Sequence, residues 1–277
     1  MAYKEASLEY YQTLAIVIPM FTLSRQQRYW LDFLFAMTEK EIKARYKFAV
    51  LGFLWIVLNP FLQMLVIGVV FQFFMAAPIQ HYFQYLLAGL LPWNFFSYSL
   101  TKTTPAIVYE RGLIQKAAFP RETIILSIIF ANFFHLCIAL ILFAVFSISV
   151  QTVSLFSFIL LLPALVWLLI LTTGVCLLTS ALQVKYRDVN FFITALLPLL
   201  FYVSPIVYSS DMLPVAVRML LKLNPLSGIL ELFHYIFVGT MNFSIHEVVL
   251  GFGFSVLFCF ISWKFFQRES KYFDDWF

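Results

Sequence analysis

Two intervals of this chain contain no Lys, Arg, Asp or Glu: 54 residues between Lys47 and Lys102, and 62 between Glu122 and Lys185. A helix rises about 1.5 Å per residue and needs roughly 20 apolar residues to cross the hydrocarbon core of a bilayer, so each interval suffices for two crossings. Turn signals divide the apolar runs into six spans. The first runs from about Phe48 to Met75, closing at Ala76-Ala77-Pro78, and the second from about Phe83 to Thr101. The third covers Thr123 to Phe146 and the fourth Ser154 to Leu182, after a polar break at Ser147 to Thr152. Val189 to Tyr208 and Val248 to Trp263 complete the set. The pattern predicts an all-α integral membrane protein with six transmembrane helices over residues 48–266, a cytoplasmic segment at 1–47 and a cytoplasmic tail at 267–277.

Two segments fit neither span nor loop. Leu31, Leu34, Phe35, Ile42 and Tyr46 fall on one helical face, and Asp32, Glu39, Lys40 and Lys43 on the other. That describes an amphipathic helix along the cytoplasmic interface, serving as a membrane anchor or as a docking element for a partner. Between spans five and six, Asn224-Pro225 breaks the chain ahead of Leu226 to Val238, which is apolar but too short to cross; such a stretch reads as a re-entrant or interfacial outer helix.

The cations orient the bundle. Residues 1–47 carry seven Lys/Arg, residues 102–122 carry four, Lys185 and Arg187 add two and the tail from Lys264 adds three, against only Arg218 and Lys222 on the opposite side. The positive-inside tendency then places both termini in the cytoplasm, which an even number of spans also requires. Composition agrees: 62% of residues are hydrophobic and 12% charged, against soluble averages of roughly 45–50% and about 25%. Cys137, Cys176 and Cys259 lie singly inside apolar runs and read as packing residues. The run from Leu14 to Phe21 is short, holds Pro19 and lacks a cleavage pattern, so it does not read as a removable signal.

Chemistry is conspicuous by what is missing. There is no G-x-x-x-x-G-K-[ST] phosphate loop, so ATP-derived work must come from another chain. The spans hold no acidic or basic residue at depth except His135, one turn from Asn132, which argues against a proton or sodium pathway. No zinc-protease or serine-hydrolase motif occurs. The chain therefore reads as a non-enzyme with no cofactor or metal of its own. It does carry 54 aromatic residues, with Trp93, Phe95, Phe96 and Tyr98 clustered after Leu91-Pro92. Such rings form interfacial belts and packing contacts, and they also offer flat faces on which sugar rings lie.

At this point a family resemblance becomes visible. Arg45-Tyr46-Lys47 leading into Val50-Leu51-Gly52, Leu54-Trp55 and Asn59-Pro60 resembles the start of the first span in permease subunits of ABC exporters for O-antigen, capsular polysaccharide and teichoic acid, the polysaccharide and polyol phosphate export family. Ala88 to Trp93, Leu113 to Lys116 with Phe119 to Glu122, Tyr186-Arg187-Asp188, and Ser204-Pro205-Ile206 with Asn224-Pro225 continue it in order over most of residues 40–240. The resemblance implies a six-span subunit that pairs with a second copy of itself and with two separate ATPase subunits, where ATP and magnesium bind. The implied substrate is a polymer carried on a polyprenyl diphosphate lipid, moved from the cytoplasmic to the outer face.

Under that resemblance the residues take roles. Tyr109, Glu110, Arg111, Leu113 and Lys116 would seat a short helix in the ATPase. Trp93, Phe95, Phe96, Tyr98 and Tyr202 would line the substrate path. Arg45 and Lys47 would meet the lipid diphosphate or simply snorkel to the headgroups. Pro225, Glu231 and His234 would cap the outer end. The rival readings are an exporter of drugs or lipids, an ATP-independent channel or scramblase, and a membrane glycosyltransferase, the last disfavoured by the shortage of cytoplasm-facing acids near a span.

Overall fold

The computed structural model describes residues 25–47, 51–74, 79–116, 119–149, 155–240 and 244–276, and every regular element among them is helical. Residues 48–50, the turn at Ala76 to Pro78, and residues 150–154, where the first span begins, where it closes, and where the polar break from Ser147 ends, lie outside the described residues.

Helix α1 (Arg25–Tyr46) lies against α6 (Glu122–Ser149). Its buried stripe centres on Leu34 and Met37, with the Phe33 ring tilted against that of Phe119, centroids 4.7 Å apart. The sequence pattern placed Phe35 on that face, but Phe35 is 67% exposed, beside Asp32 and Glu39. The inner arc is instead completed by Thr38, whose hydroxyl donates to Leu34 O one turn back in the same helix, and by Glu41, which faces Lys102 of the bundle.

A 3-10 turn at Gly52–Leu54 leads into α2 (Trp55–Val69), which ends in a π-helical turn at Val70–Phe74. Next come α3 (Tyr82–Thr103) and two single-turn helices, α4 (Ala106–Tyr109) and α5 (Arg111–Ile114). Beyond α6, a 3-10 segment at Leu155–Leu160 opens α7 (Leu161–Lys185), where Pro163 sits in the first turn and removes no ladder bond. The chain continues through α8 (Val189–Val203), α9 (Val215–Lys222), α10 (Pro225–Val238) and α11 (Ile245–Glu269), closing with a 3-10 turn at Ser270–Trp276.

Among the described residues, four helical stretches are long and apolar enough to cross a membrane: Trp55–Gln72, Glu122–Ser149, Phe156–Lys185 and Ile245–Phe273. They correspond to the first, third, fourth and sixth expected spans. The second expected span is α3, 22 residues long but studded with Gln84, Asn94, Ser99 and Thr103. Its polarity has a structural reason. α3 packs against α2, α6, α7, α8 and α10, so its surroundings are protein rather than lipid. The fifth expected span ends early: α8 stops at Val203, because Pro205 biases Ser204 to extended backbone, and its 15 residues reach only about 22 Å.

The other half of the bundle is held by close approach. α11 lies along α7, where Gly174 lets the backbone of Cys259 come near. Trp167 fits between Gly228 of α10 and Gly251 of α11 and donates its indole N–H to Ser255 at 2.9 Å. α10 is enclosed on all sides: Ile229, Leu230, Phe233, Ile236 and Phe237 are fully buried. Asn224 caps its start by accepting from Leu226 N–H at 3.0 Å, and Gly239 ends it at φ 80°, a conformation that glycine takes at little cost.

Candidate functional site

The functional candidates fall into three places. The first is a cavity of about 580 Å³ between the end of α1 and helices α2, α3 and α6. The guanidinium of Arg45 reaches into it from α1, donating to Asn132 Oδ1 and to His135 Nδ1, each at 2.6 Å. Since guanidinium can only donate, His135 accepts through Nδ1 and is therefore neutral in this arrangement. Asn132 in turn donates to Ser99 at 3.1 Å, fixing the acceptor. Lys102, one residue beyond the apolar run, lines the same cavity, and its nearest acid is Glu41 of α1 at 3.9 Å.

The wall between α2 and α3 is polar. Asn59 donates to the Tyr98 hydroxyl at 2.8 Å, and Asn94 donates to Gln63 Oε1 at 2.9 Å. Trp55, Leu91, Phe95, Leu136 and Ala139 complete the lining. Of the aromatic candidates, Phe95 and Tyr98 thus face this cavity. Trp93 and Phe96 pack in the core, Trp93 edge-on to Phe201 at 5.6 Å, and Tyr202 is exposed on α8. Lys47 is exposed outside the cavity, so the two cations that the sequence paired are separated.

The second place is the α4–α5 hairpin. Ile107 and Ile114 bury its inner side, α4 packing on α6 and α7, while Tyr109 is 78% exposed and Arg111 and Lys116 face outward beside half-buried Leu113. Glu110 is tied to Lys40 of α1 at 2.9 Å. Tyr109, Arg111 and Lys116 thus stand exposed on a footing buried in the bundle.

The third lies around α10. Pro225 occupies its first turn. Glu231 is 8% exposed, with Ser210 bonding its carboxyl, and His234 is 2% exposed, stacked on Tyr85 with ring centroids 3.7 Å apart. Tyr85 itself donates to Tyr208 O at 2.8 Å. These residues are interior packing groups of the single chain.

Residues 33–238 match the ABC-2 type transporter family. The chain belongs to that family. Among its ABC-2 relatives, an O-antigen export system permease protein, RfbA, of Klebsiella pneumoniae is 31% identical over 227 residues, covering 78% of this chain and 84% of the relative. RfbA of Myxococcus xanthus is 29% identical over 220 residues, covering 79% and 85%. The polysialic acid transport protein KpsM of Escherichia coli is 24% identical over 200 residues, covering 71% and 78%. As an ABC-2 permease the chain is a multi-pass membrane protein that works with an ATPase subunit and carries no cofactor itself. The family match runs from within α1 to the last residue of α10, so all three candidate places fall inside it and α11 falls outside.

Sequence reasoning missed Lys102, Asn59, Gln63 and Asn94. A signal was present: amides four residues apart in an otherwise apolar helix, as at Asn59 and Gln63, need partners in a lipid setting.

Proposed function

We propose that this chain is the transmembrane subunit of an ATP-driven exporter that moves a polyprenyl-diphosphate-linked polysaccharide or teichoic-acid-type polymer from the cytoplasmic to the outer face of the membrane. The observation that carries this reading is the 31% identity to an O-antigen permease across 84% of that relative's length. The unit is a homodimer with two ATPase subunits. Each copy crosses six times, through the four long apolar helices, the protein-sheathed α3 and the short α8, with both termini in the cytoplasm and α10 dipping in from outside.

In this reading Tyr109, Glu110, Arg111, Leu113 and Lys116 engage the ATPase. Arg45 and Lys47 attract the lipid diphosphate, and the aromatic residues Trp93, Phe95, Phe96, Tyr98 and Tyr202 border the passage. Pro225, Glu231 and His234 form its outer closure. The exposed Tyr109 on a hairpin rooted in the bundle is the surface feature in keeping with this assignment.

The test is reconstitution of the chain with its partner ATPase in sealed vesicles loaded with a lipid-linked glycan. ATP added on the ATPase side should bring the glycan within reach of a glycosidase on the far side. Equal exposure in vesicles without any ATPase would overturn the reading in favour of a channel or scramblase.

A further inference from the structure

The cavity at the end of α1 holds an imbalance of charge. Arg45 bonds two neutral acceptors and, among the described residues, pairs with no carboxylate. Lys102 faces the same space, with one carboxylate, Glu41, at the long distance of 3.9 Å. Two cations and one acid leave an excess of about one positive charge along a cavity open to its surroundings, with Arg45 partly buried and the Lys102 side chain 46% exposed. A partly buried charge without a counter-ion favours the arrival of one. Asn132 and His135 hold the guanidinium in place without neutralising it, so the arrangement is complete in geometry and incomplete in charge. An anion supplies what is missing.

The rest of the lining narrows the ligand. Asn59, Asn94 and Tyr98 line the same cavity with amide and hydroxyl groups, and Trp55 adds a ring face. Amides and hydroxyls satisfy ring hydroxyls by hydrogen bonds, and aromatic faces cover the apolar side of a sugar. The volume of about 580 Å³ exceeds what a phosphate group alone would fill.

We infer that this cavity seats the phosphate-bearing end of a glycolipid together with its first sugar: the phosphate between Arg45 and Lys102, the ring against Asn59, Asn94 and Tyr98. This rests on the export reading above and deepens it, replacing the adjacent pair Arg45 and Lys47 with the spatial pair Arg45 and Lys102. The same phosphate chemistry is offered by ordinary phospholipid headgroups, and the sugar-facing wall separates the two sources.

The experiment uses the detergent-purified complex with the partner ATPase and three radiolabelled probes: farnesyl diphosphate, farnesyl diphosphate bearing one N-acetylglucosamine, and phosphatidylglycerol. Arg45→Gln and Lys102→Gln should each weaken both farnesyl probes by about tenfold, the loss of one charge-assisted contact. Asn94→Ala should weaken only the sugar-bearing probe, phosphatidylglycerol should compete poorly, and Arg45→Lys should retain most binding of both farnesyl probes. Unchanged melting temperature and co-purification of each variant with the ATPase subunit guard against misfolding. Wild-type binding of both farnesyl probes by the two Gln variants would overturn the site. So would phosphatidylglycerol competing as well as the glycolipid, which would make it a phospholipid seat. If wild-type complex exports glycan while the variants bind as wild type, this inference alone fails; if wild-type complex exports nothing, the export reading fails.

Discussion

Lys40 Nζ lies 2.9 Å from Glu110 Oε1, joining the helix that precedes the membrane bundle to the exposed α4–α5 hairpin across 70 residues of sequence. Both side chains are partly exposed, so the pair contributes less than about 1 kcal/mol to stability. Its value is positional, because it registers α1 against the surface assigned to the ATPase. Lys40→Glu should leave the melting temperature within about a degree or two while lowering transport per ATP hydrolysed, and Lys40→Glu with Glu110→Lys should recover most of the loss. Equal transport per ATP in all three proteins would remove the positional role.

Replacing Leu113 and Lys116 together by Ala should uncouple ATP hydrolysis from transport without disturbing insertion, since Lys116 is exposed and Leu113 half-buried, outside the core. Membrane yield and binding of the ATPase subunit, measured side by side, check this. Wild-type transport in the double variant would exclude the hairpin from coupling.

Gly174→Ala should destabilise the α7–α11 contact. A Cβ there would lie 2.9 Å from the Cα of Cys259, and a backbone neighbour cannot swing aside. The expected cost is about 1–3 kcal/mol, read as a lower melting temperature in detergent. Unchanged melting would show that the two helices separate easily.

Trp167→Ala should cost more, about 3–5 kcal/mol, since it empties the space between Gly228 and Gly251. Trp167→Phe keeps much of the ring and loses the bond to Ser255, so its cost should be nearer 1 kcal/mol, on the order of one hydrogen bond. Denaturation followed by tryptophan-independent far-UV signal distinguishes them.

Topology has its own test. In a background without Cys137, Cys176 and Cys259, single cysteines at Gln80 and Ser149 should react with an impermeant maleimide added to intact cells, and one at Gln115 should not. Reversed reactivity would invert the orientation.

Much of the fold was legible because lipid imposes a coarse rule: a helix facing hydrocarbon must be apolar along its whole length. The charge-free stretch 248–263 of Ile245–Phe273, little buried inside the protein, obeys it and stands out in the sequence. α3 obeys a different rule. Surrounded by five helices, it carries Gln84 and Asn94 because protein supplies their partners or shields them. The face of α1 was misjudged at Phe35 for a related reason, since Glu41 meets a partner, Lys102, that lies 61 residues away in sequence, while Thr38 satisfies its hydroxyl on Leu34 O of its own helix. At the candidate cavity, Arg45 was visible as a cation at a span's edge, whereas Lys102 lies 57 residues further on and joins it only through helix packing. Contacts between helices distant in sequence leave no periodicity to read.

The enclosure of α3 also decides how force would travel. Thr104 at its end is anchored to Leu100 O at 2.7 Å and to Thr179 of α7 at 3.2 Å, and Pro105 leads directly into the hairpin that bears Tyr109. A load on that hairpin enters the protein along its central shaft instead of at the rim. Five neighbouring helices then share a small displacement at once, which trades stroke for synchrony.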